Sequence, residues 1–489
     1  MNALTKRISF HCFLGYGLLI GLLGAVYWAT LLPGVGYSGD TAKFQFIGKV
    51  LGTPHATGYP AYVVLNHFFV TLLPFGSLAA KANALSALFS IGATLALFRI
   101  LLVLDVSGFI AFVSALIFGL TPTVWLQSVV AEVYTFHLLF VALVIYFFVR
   151  WTQTRQDRHF YAATALYALS FGNHLTTITL LPAIVYLIWA TDRRVFLDRR
   201  KILWVGGFVL LSLLQYTYIF WRVRDPSTSY LEMRPANLQE FAWYMTGARF
   251  QAKMFVFSPA QVLTQRVPMF LDLLWKQFLL LLLPAIYGLV HFRNRTLNIF
   301  LFLCFLANVF YAINYNIDDI FVYFIPSYLV VAIYTGKGLE AIKRRLPRKA
   351  LAPASLMLAA VPLIFLVLNF TTVNQRNNTA DGERARSILG TLERDAVIIS
   401  PNYHYSEYFW YYLLGEDPQD RNIHVLHKVT PEVVRAYLRG EYSFELPNPR
   451  VDAPFGLPVY VVNSDQQQLL EDAGLTVQPA NNGIYQVSD

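Results

Sequence analysis

Along the chain, stretches of about 20 mostly apolar residues recur up to residue 371, separated by short polar or Pro/Gly-bearing breaks. A helix of that length crosses the hydrocarbon core of a bilayer, so the pattern predicts about eleven spans. Six are clear: 10–32, 128–149, 202–221, 269–290, 297–315 and 350–371. Five are interrupted or short: 79–104, which carries Lys81 and Arg99, and then 108–121, 160–173, 175–190 and 320–335. The first run is too long for a signal-peptide core, and no small-residue cleavage site follows it, so it reads as a retained span.

The pattern changes near 373. Segments 384–392, 405–414 and 431–438 carry helical periodicity, while 396–400, 423–426 and 459–462 read as strands, which fits a small α/β module. The module has no glycine-rich phosphate loop and no nucleophile elbow, so acceptor binding or support is expected of it rather than chemistry. The predicted architecture is therefore a polytopic α-helical membrane part, residues 1–372, followed by an α/β domain, residues 373–489.

Composition agrees: the 489 residues are 56% hydrophobic and only 14% charged, too apolar for a water-soluble chain of this size. The formal charge of +9 is a topology signal rather than a nucleic-acid one, because the basic residues lie in short loops between spans. Lys6 and Arg7, Arg150 with Arg155 and Arg158, residues 193–201, Arg293 with Arg295, and residues 337–349 fall in alternate loops. The positive-inside rule then puts the amino terminus in the cytoplasm. With an odd span count, the tail domain and the loops after the first, seventh and ninth spans share the outer compartment. Cys12 and Cys304 both fall within predicted spans, so no disulfide framework is expected.

The first outer loop, 33–79, is too apolar for a solvated linker. It predicts a short interfacial helix over 41–51, with Phe44, Phe46 and Ile47 toward lipid, and a second over 59–73 after a Pro/Gly hinge. Asp40 ends a Gly-Tyr-Ser-Gly-Asp turn and can cap the first helix; a carboxylate held at the membrane surface can equally accept a proton from a substrate hydroxyl. His55 stands in the tight Thr-Pro-His-Ala-Thr-Gly-Tyr-Pro turn beside Tyr59, where a structural and a catalytic role are both open.

The outer loop 222–268 holds Arg222, Arg224, Arg234, Arg249, Lys253 and Arg266, against the local charge rule. Cations kept there suit an anionic partner such as phosphate, or lipid headgroups and neighbouring acids. Glu132 with His137, and Asn173 with His174, put polar groups at membrane depth, where they cost several kcal/mol unless paired or facing a cavity. Asp318 and Asp319 lead into the Tyr323 segment; adjacent acids can chelate a metal, cap a helix or pair with arginine.

Gly39-Asp40-Thr-Ala-Lys-Phe44, Pro54-His55-Ala-Thr-Gly58-Tyr59-Pro60 and Asn83-Ala-Leu-Ser86 together resemble the start of a bacterial multi-pass family related to the protein O-mannosyltransferases, within the GT-C glycosyltransferases. The resemblance continues through Ala131-Glu132-Val-Tyr134, Gly172-Asn173-His174-Leu-Thr176, Phe241 with Thr246-Gly247, and Asp319-Ile-Phe-Val-Tyr323-Phe-Ile-Pro326, in matching order over most of the membrane part.

It implies a GT-C-like fold and a membrane glycosyltransferase that moves a mannose-like hexose from a polyprenyl-phosphate donor to an acceptor hydroxyl, with inversion. The acceptor would be a protein, lipid or glycan, and the place the extracytoplasmic face of a bacterial cytoplasmic membrane. Asp40 carries over as the catalytic base, with His55, Tyr59, Glu132, His174, Arg222 and Arg249 around donor sugar or phosphate. Asp318, Asp319 and Tyr323 are candidates for acceptor contact or support. Family members often have an acid where Lys43 stands; no metal ligand set is assigned, and a divalent cation is compatible with the sequence without being indicated by it. The other reading is a transporter or flippase of lipid-linked sugars, but the internal repeats such proteins usually show are not found.

Overall fold

In the computed structural model, residues 3–37, 39–416, 422–427, 429–441 and 456–489 are described, with side chains from residue 13 onward. The first-span side chains of Lys6, Arg7 and Cys12 therefore lie outside the described residues. Among the described residues nine helices are long and apolar enough to cross a bilayer, and a pair bent by 68°, Gly108–Gly119 with Pro122–Ser128, makes a tenth. Pro122 at the start of the second half explains the break, since proline disfavours helix at the residue before it. The helix Asp157–Ser170, in the expected fifth span, is short, at 14 residues. Asp157 pairs with Lys201 at 3.2 Å, and Ser170 meets Thr177 at 2.8 Å beside the start of the following span. The expected eleven spans therefore become nine or ten among the described residues, because at about 1.5 Å per residue this helix is too short to cross the hydrocarbon core. The span expected over 128–149 is displaced to Tyr134–Thr154, because 129–133 is an irregular break.

The basic loops gather at one end, where Lys337 donates to the Leu104 carbonyl at 2.7 Å and Arg155 to that of Thr191. At the other end the loop helices Thr41–Val50 and Pro60–Leu72 are folded into the protein. Phe44, Phe46 and Ile47, expected to face lipid, are instead buried in a core shared with Tyr230, Tyr408 and Trp410. The helix is covered by the tail domain as well as by the bundle, so its apolar face packs on protein.

The tail folds as a five-stranded sheet of order β2-β1-β3-β5-β4, built from β1 (Asp395–Ser400), β2 (Asn422–His427), β3 (Val459–Val461), β4 (Thr476–Pro479) and β5 (Tyr485–Ser488). β1 runs parallel to β2 and β3, with Ile398 opposite Val425 and Tyr460, and β5 is antiparallel to β3 and β4. Side chains of β1 alternate between two cores. Val397 and Ile399 pack with Val434 and Leu470, while Ala396 and Ile398 join the core that reaches the loop helices. The last two strands and the helix Ser464–Asp472 were not foreseen in the sequence, where their short mixed segments carry little periodicity. Tyr411 accepts from the Ala79 amide at 3.0 Å, and Tyr408 donates to the Tyr37 carbonyl, so the module is hydrogen-bonded to the membrane part.

Candidate active site

The loop around residues 50–58 is held by its own carbonyls. Arg222 donates to Leu51 (2.7 Å) and Val50 (3.3 Å), Tyr218 to Gly52 (2.9 Å) and Tyr244 to Pro54. Thr53 forms a short backbone bridge with Leu231, its amide donating to the Tyr230 carbonyl at 3.1 Å and its carbonyl accepting from the Glu232 amide at 2.9 Å. Gly58 has φ +81°, and a Cβ there would meet Ile219 and Tyr244, so only glycine allows this approach. The segment expected to bring phosphate-binding arginines is therefore also the brace of the histidine turn.

At the head of Thr41–Val50, Asp40 occupies the cap position, but its side chain caps nothing. One oxygen, Oδ1, instead takes a 2.7 Å contact from Lys43 Nζ one turn on. Lys43 is 1% exposed, and its ammonium also lies 3.0 Å from Glu232 Oε2 and 3.3 Å from Glu407 Oε1, at ion-pair distance though off hydrogen-bond alignment. It lies 3.1 Å from His55 Nδ1, and because an ammonium only donates, that nitrogen is the acceptor and the imidazole proton sits on Nε2. His55 Nε2 is 2.8 Å from the Tyr59 hydroxyl and 3.7 Å from Asp40 Oδ2. The Asp40 side chain remains 33% exposed, so Oδ2 is reachable.

Electrostatics follow the geometry. Burial works to raise the Asp40 pKa, but Lys43 and His55 beside it hold the carboxyl well below the usual range, so it stays ionised. Burial alone would discharge Lys43; the surrounding acids, Asp40 first, push its pKa well above the ordinary value. Burial lowers the His55 pKa and raises that of Glu407, which is fully enclosed. Asp40, His404 and Glu407 offer ligand atoms all within 4.8 Å of one another, a set able to hold a metal ion, but Lys43 already touches both carboxylates.

Deeper in, Glu132 accepts from Thr41 Oγ1 at 3.4 Å, and its pKa is raised by burial and by Asp40. Its backbone is fixed by Ser86, and Asn83 ties the Leu32 carbonyl at 2.7 Å. Asp319 turns inward to accept from Tyr134 at 2.9 Å, whereas Asp318 is exposed, so the adjacent acids diverge. Between them, Tyr134, Tyr323 and His174 meet at ring-centroid distances of 5.6–5.8 Å, with Tyr59 6.0 Å from His174. His174 is oriented by Thr176, 2.7 Å from its Nδ1.

Of the expected residues, Asp40, His55, Tyr59, Glu132, His174, Asp319 and Tyr323 thus come together. Arg222 stands at the margin with Nη1 on Asp225 at 2.6 Å and its other donors on backbone. Arg249 is exposed, with no hydrogen bond or ion pair among the described residues; its neighbour Phe250 lies 6.0 Å from the His55 ring. Glu232, Glu407, Tyr403 and His404 were not singled out from the sequence, and Lys43 was noted only as a departure. An acid inside the aromatic run Tyr403–Trp410 was the one available signal for Glu407.

Residues 40–196 match the family model of the protein O-mannosyl-transferase TMEM260 N-terminal domain. The chain is 26% identical to the protein O-mannosyl-transferase TMEM260 of Mus musculus, over 77% of this chain and 57% of that protein. It is 19% identical to the tmem260 protein of Dictyostelium discoideum, over 76% and 52%. The chain spans about half the length of the curated relatives it matches. Its fold matches the crystal structure of ArnT from Cupriavidus metallidurans bound to undecaprenyl phosphate, with a TM-score of 0.63 and 13% identity over 96% of this chain and 97% of that one.

Over residues 40–196 the chain is thus similar to the TMEM260 N-terminal domain, and its fold is that of the ArnT structure. The matched family segment begins at Asp40 and runs through Glu132 and His174, the residues that converge here.

Proposed function

We propose that this protein is a glycosyltransferase that carries a mannose-like hexose from a polyprenyl-phosphate donor to an acceptor hydroxyl of a protein, lipid or glycan. The observation that carries the reading is Asp40: an ionised carboxylate with one oxygen tied to Lys43 and the other open, beside a nest of aromatic rings and acids. The names of the relatives support the sugar and the transfer, and the lipid bound by ArnT supports the donor class.

In this reading Asp40 Oδ2 takes the acceptor proton while the acceptor oxygen attacks the anomeric carbon. The bond to the donor phosphate breaks on the opposite side, and the product is inverted. The leaving phosphodiester becomes a monoester and gains charge, which a fixed cation stabilises more in the transition state than before it. Arg249, with its guanidinium uncommitted, is the better placed for that task, and Arg222 serves as the clamp of the histidine loop. Tyr59, His174, Tyr323, Glu132 and Asp319 line the sugar side. We place this end of the bundle, and residues 373–489 as a separate domain on it, on the side of the membrane opposite the amino terminus.

The test is sugar transfer by purified protein given a polyprenyl-phosphate hexose. Asp40→Asn should lose about 100-fold or more in turnover, the scale of a general base. Turnover retained by a folded Asp40→Asn chain would reject the assignment.

A further inference from the structure

Three acids from three distant parts of the chain converge on one ammonium. Asp40 comes from the first loop, Glu232 from the segment that braces it, and Glu407 from the tail domain, at 2.7, 3.0 and 3.3 Å from Lys43 Nζ. Glu407 is wholly buried, yet neither of its oxygens has a hydrogen-bond donor among the described residues, and Glu232 Oε2 also lacks one. Asp40 Oδ1 accepts a hydrogen bond from the ammonium, while Glu232 and Glu407 face it at contact distance without one, as ligands surround an ion. His404 completes the set beside Asp40 and Glu407.

We propose that Lys43 is the resident cation of this site, its ammonium filling the place that a divalent metal ion would take among Asp40, Glu232, Glu407 and His404. Hard divalent ions seek oxygen-rich sites of this kind, and Lys43 supplies positive charge at the same point from inside the chain. The consequence is positional. Lys43 holds Oδ1 of Asp40, leaves Oδ2 open, and ties the loop, its brace and the tail domain into one closed site. That role in transfer rests on the function proposed above; the occupancy of the cation position does not.

The experiment is titration of the purified full chain in detergent with Mn2+, followed by electron paramagnetic resonance. The wild type should show no bound ion that Asp40→Asn removes. Lys43→Met should gain one Mn2+ per chain, at least about tenfold tighter than anything in the wild type, and Asp40→Asn added to it should abolish the gain. If Lys43→Met does not fold, Lys43→Met with Glu407→Gln also removes the wholly buried acid that loses its partner, and carries the same test through Asp40, Glu232 and His404. A folded variant without the gain, or a wild type that binds Mn2+ at Asp40 as tightly, overturns the proposal. A gain of Mn2+ in a protein whose wild type transfers no sugar would sink the proposed function and leave this inference standing.

Discussion

Each end of the helix bundle carries a partly buried ionic cluster, and the two are built in opposite ways. At the basic end one acid, Glu340, is surrounded by donors. Its Oε2 accepts from the Ser107 amide (3.0 Å) and hydroxyl (2.7 Å), and its Oε1 from Arg344 (3.0 Å), while Lys343 closes on Ser107 at 3.0 Å. Every oxygen is used, so the cluster is a clamp between the Gly108–Gly119 and Ile325–Lys343 helices. At the other end one lysine faces three acids, and several carboxylate oxygens have no hydrogen-bond donor. A satisfied cluster only holds helices together; one with spare acceptors, open to solvent through Asp40, has capacity left for a substrate.

The comparison breaks most sharply at the two acids. Asp40→Asn should cost about 100-fold or more in sugar transfer with little change in folding, whereas Glu340→Gln should leave transfer within about twofold and lower the melting temperature. Next come the lysines. Lys43→Met strips the partner from buried acids, and a loss of about 3–5 kcal/mol of stability is expected in denaturant titration. The half-exposed pair of Glu340 with Arg344 should cost about 1 kcal/mol or less when Arg344 is replaced by Met.

The arginines sharpen the picture further. Arg249→Met should lower kcat with the lipid-phosphate donor by about 10-fold or more without touching stability, since a charged hydrogen bond is worth about 1.5–3 kcal/mol and this one is strongest in the transition state. Arg222→Met should do the reverse, lowering stability by about 1–3 kcal/mol through the freed Val50 and Leu51 carbonyls.

The smallest effect is on pH. Burial raises the Glu407 pKa, so the folded chain keeps a proton there that the unfolded chain releases above its ordinary value of 4.5. That group therefore costs stability increasingly as pH rises above 4.5, and glutamine does not titrate. The melting temperature of Glu407→Gln relative to wild type should climb as pH rises above 4.5; a flat difference would show that Glu407 is ionised. His55 works in the other sense. Its lowered pKa keeps it neutral in the fold, so its contribution is present above the ordinary 6.5 and is lost on acidification below it.

Much of this was legible in the chain. Asp40, His55, Glu132 and His174 lie in short motifs whose order resembles that of a known family, and the hydrogen bonds of Asn83, Ser86 and Asn173 show what those motifs do: each ties a span end to a loop. The aliphatic run of β1 announced a buried strand, but Thr476–Pro479 and Tyr485–Ser488, half exposed and mixed, did not. Phe44, Phe46 and Ile47 were read toward lipid because an apolar face has the same pattern whether lipid or protein covers it.

The sequence by itself determined most of the spans, the clustering of basic loops and the carboxylate at the head of the first loop helix. In lipid each helix must satisfy its own backbone, so its length and apolarity are written locally. Only the tertiary structure decided that Lys43 would be enclosed by Glu232 and Glu407, that Arg222 would spend its donors on carbonyls, and that Asp319 would turn inward while Asp318 would not. These are meetings between distant segments, and a charged side chain carries no local mark of the partner that burial will give it.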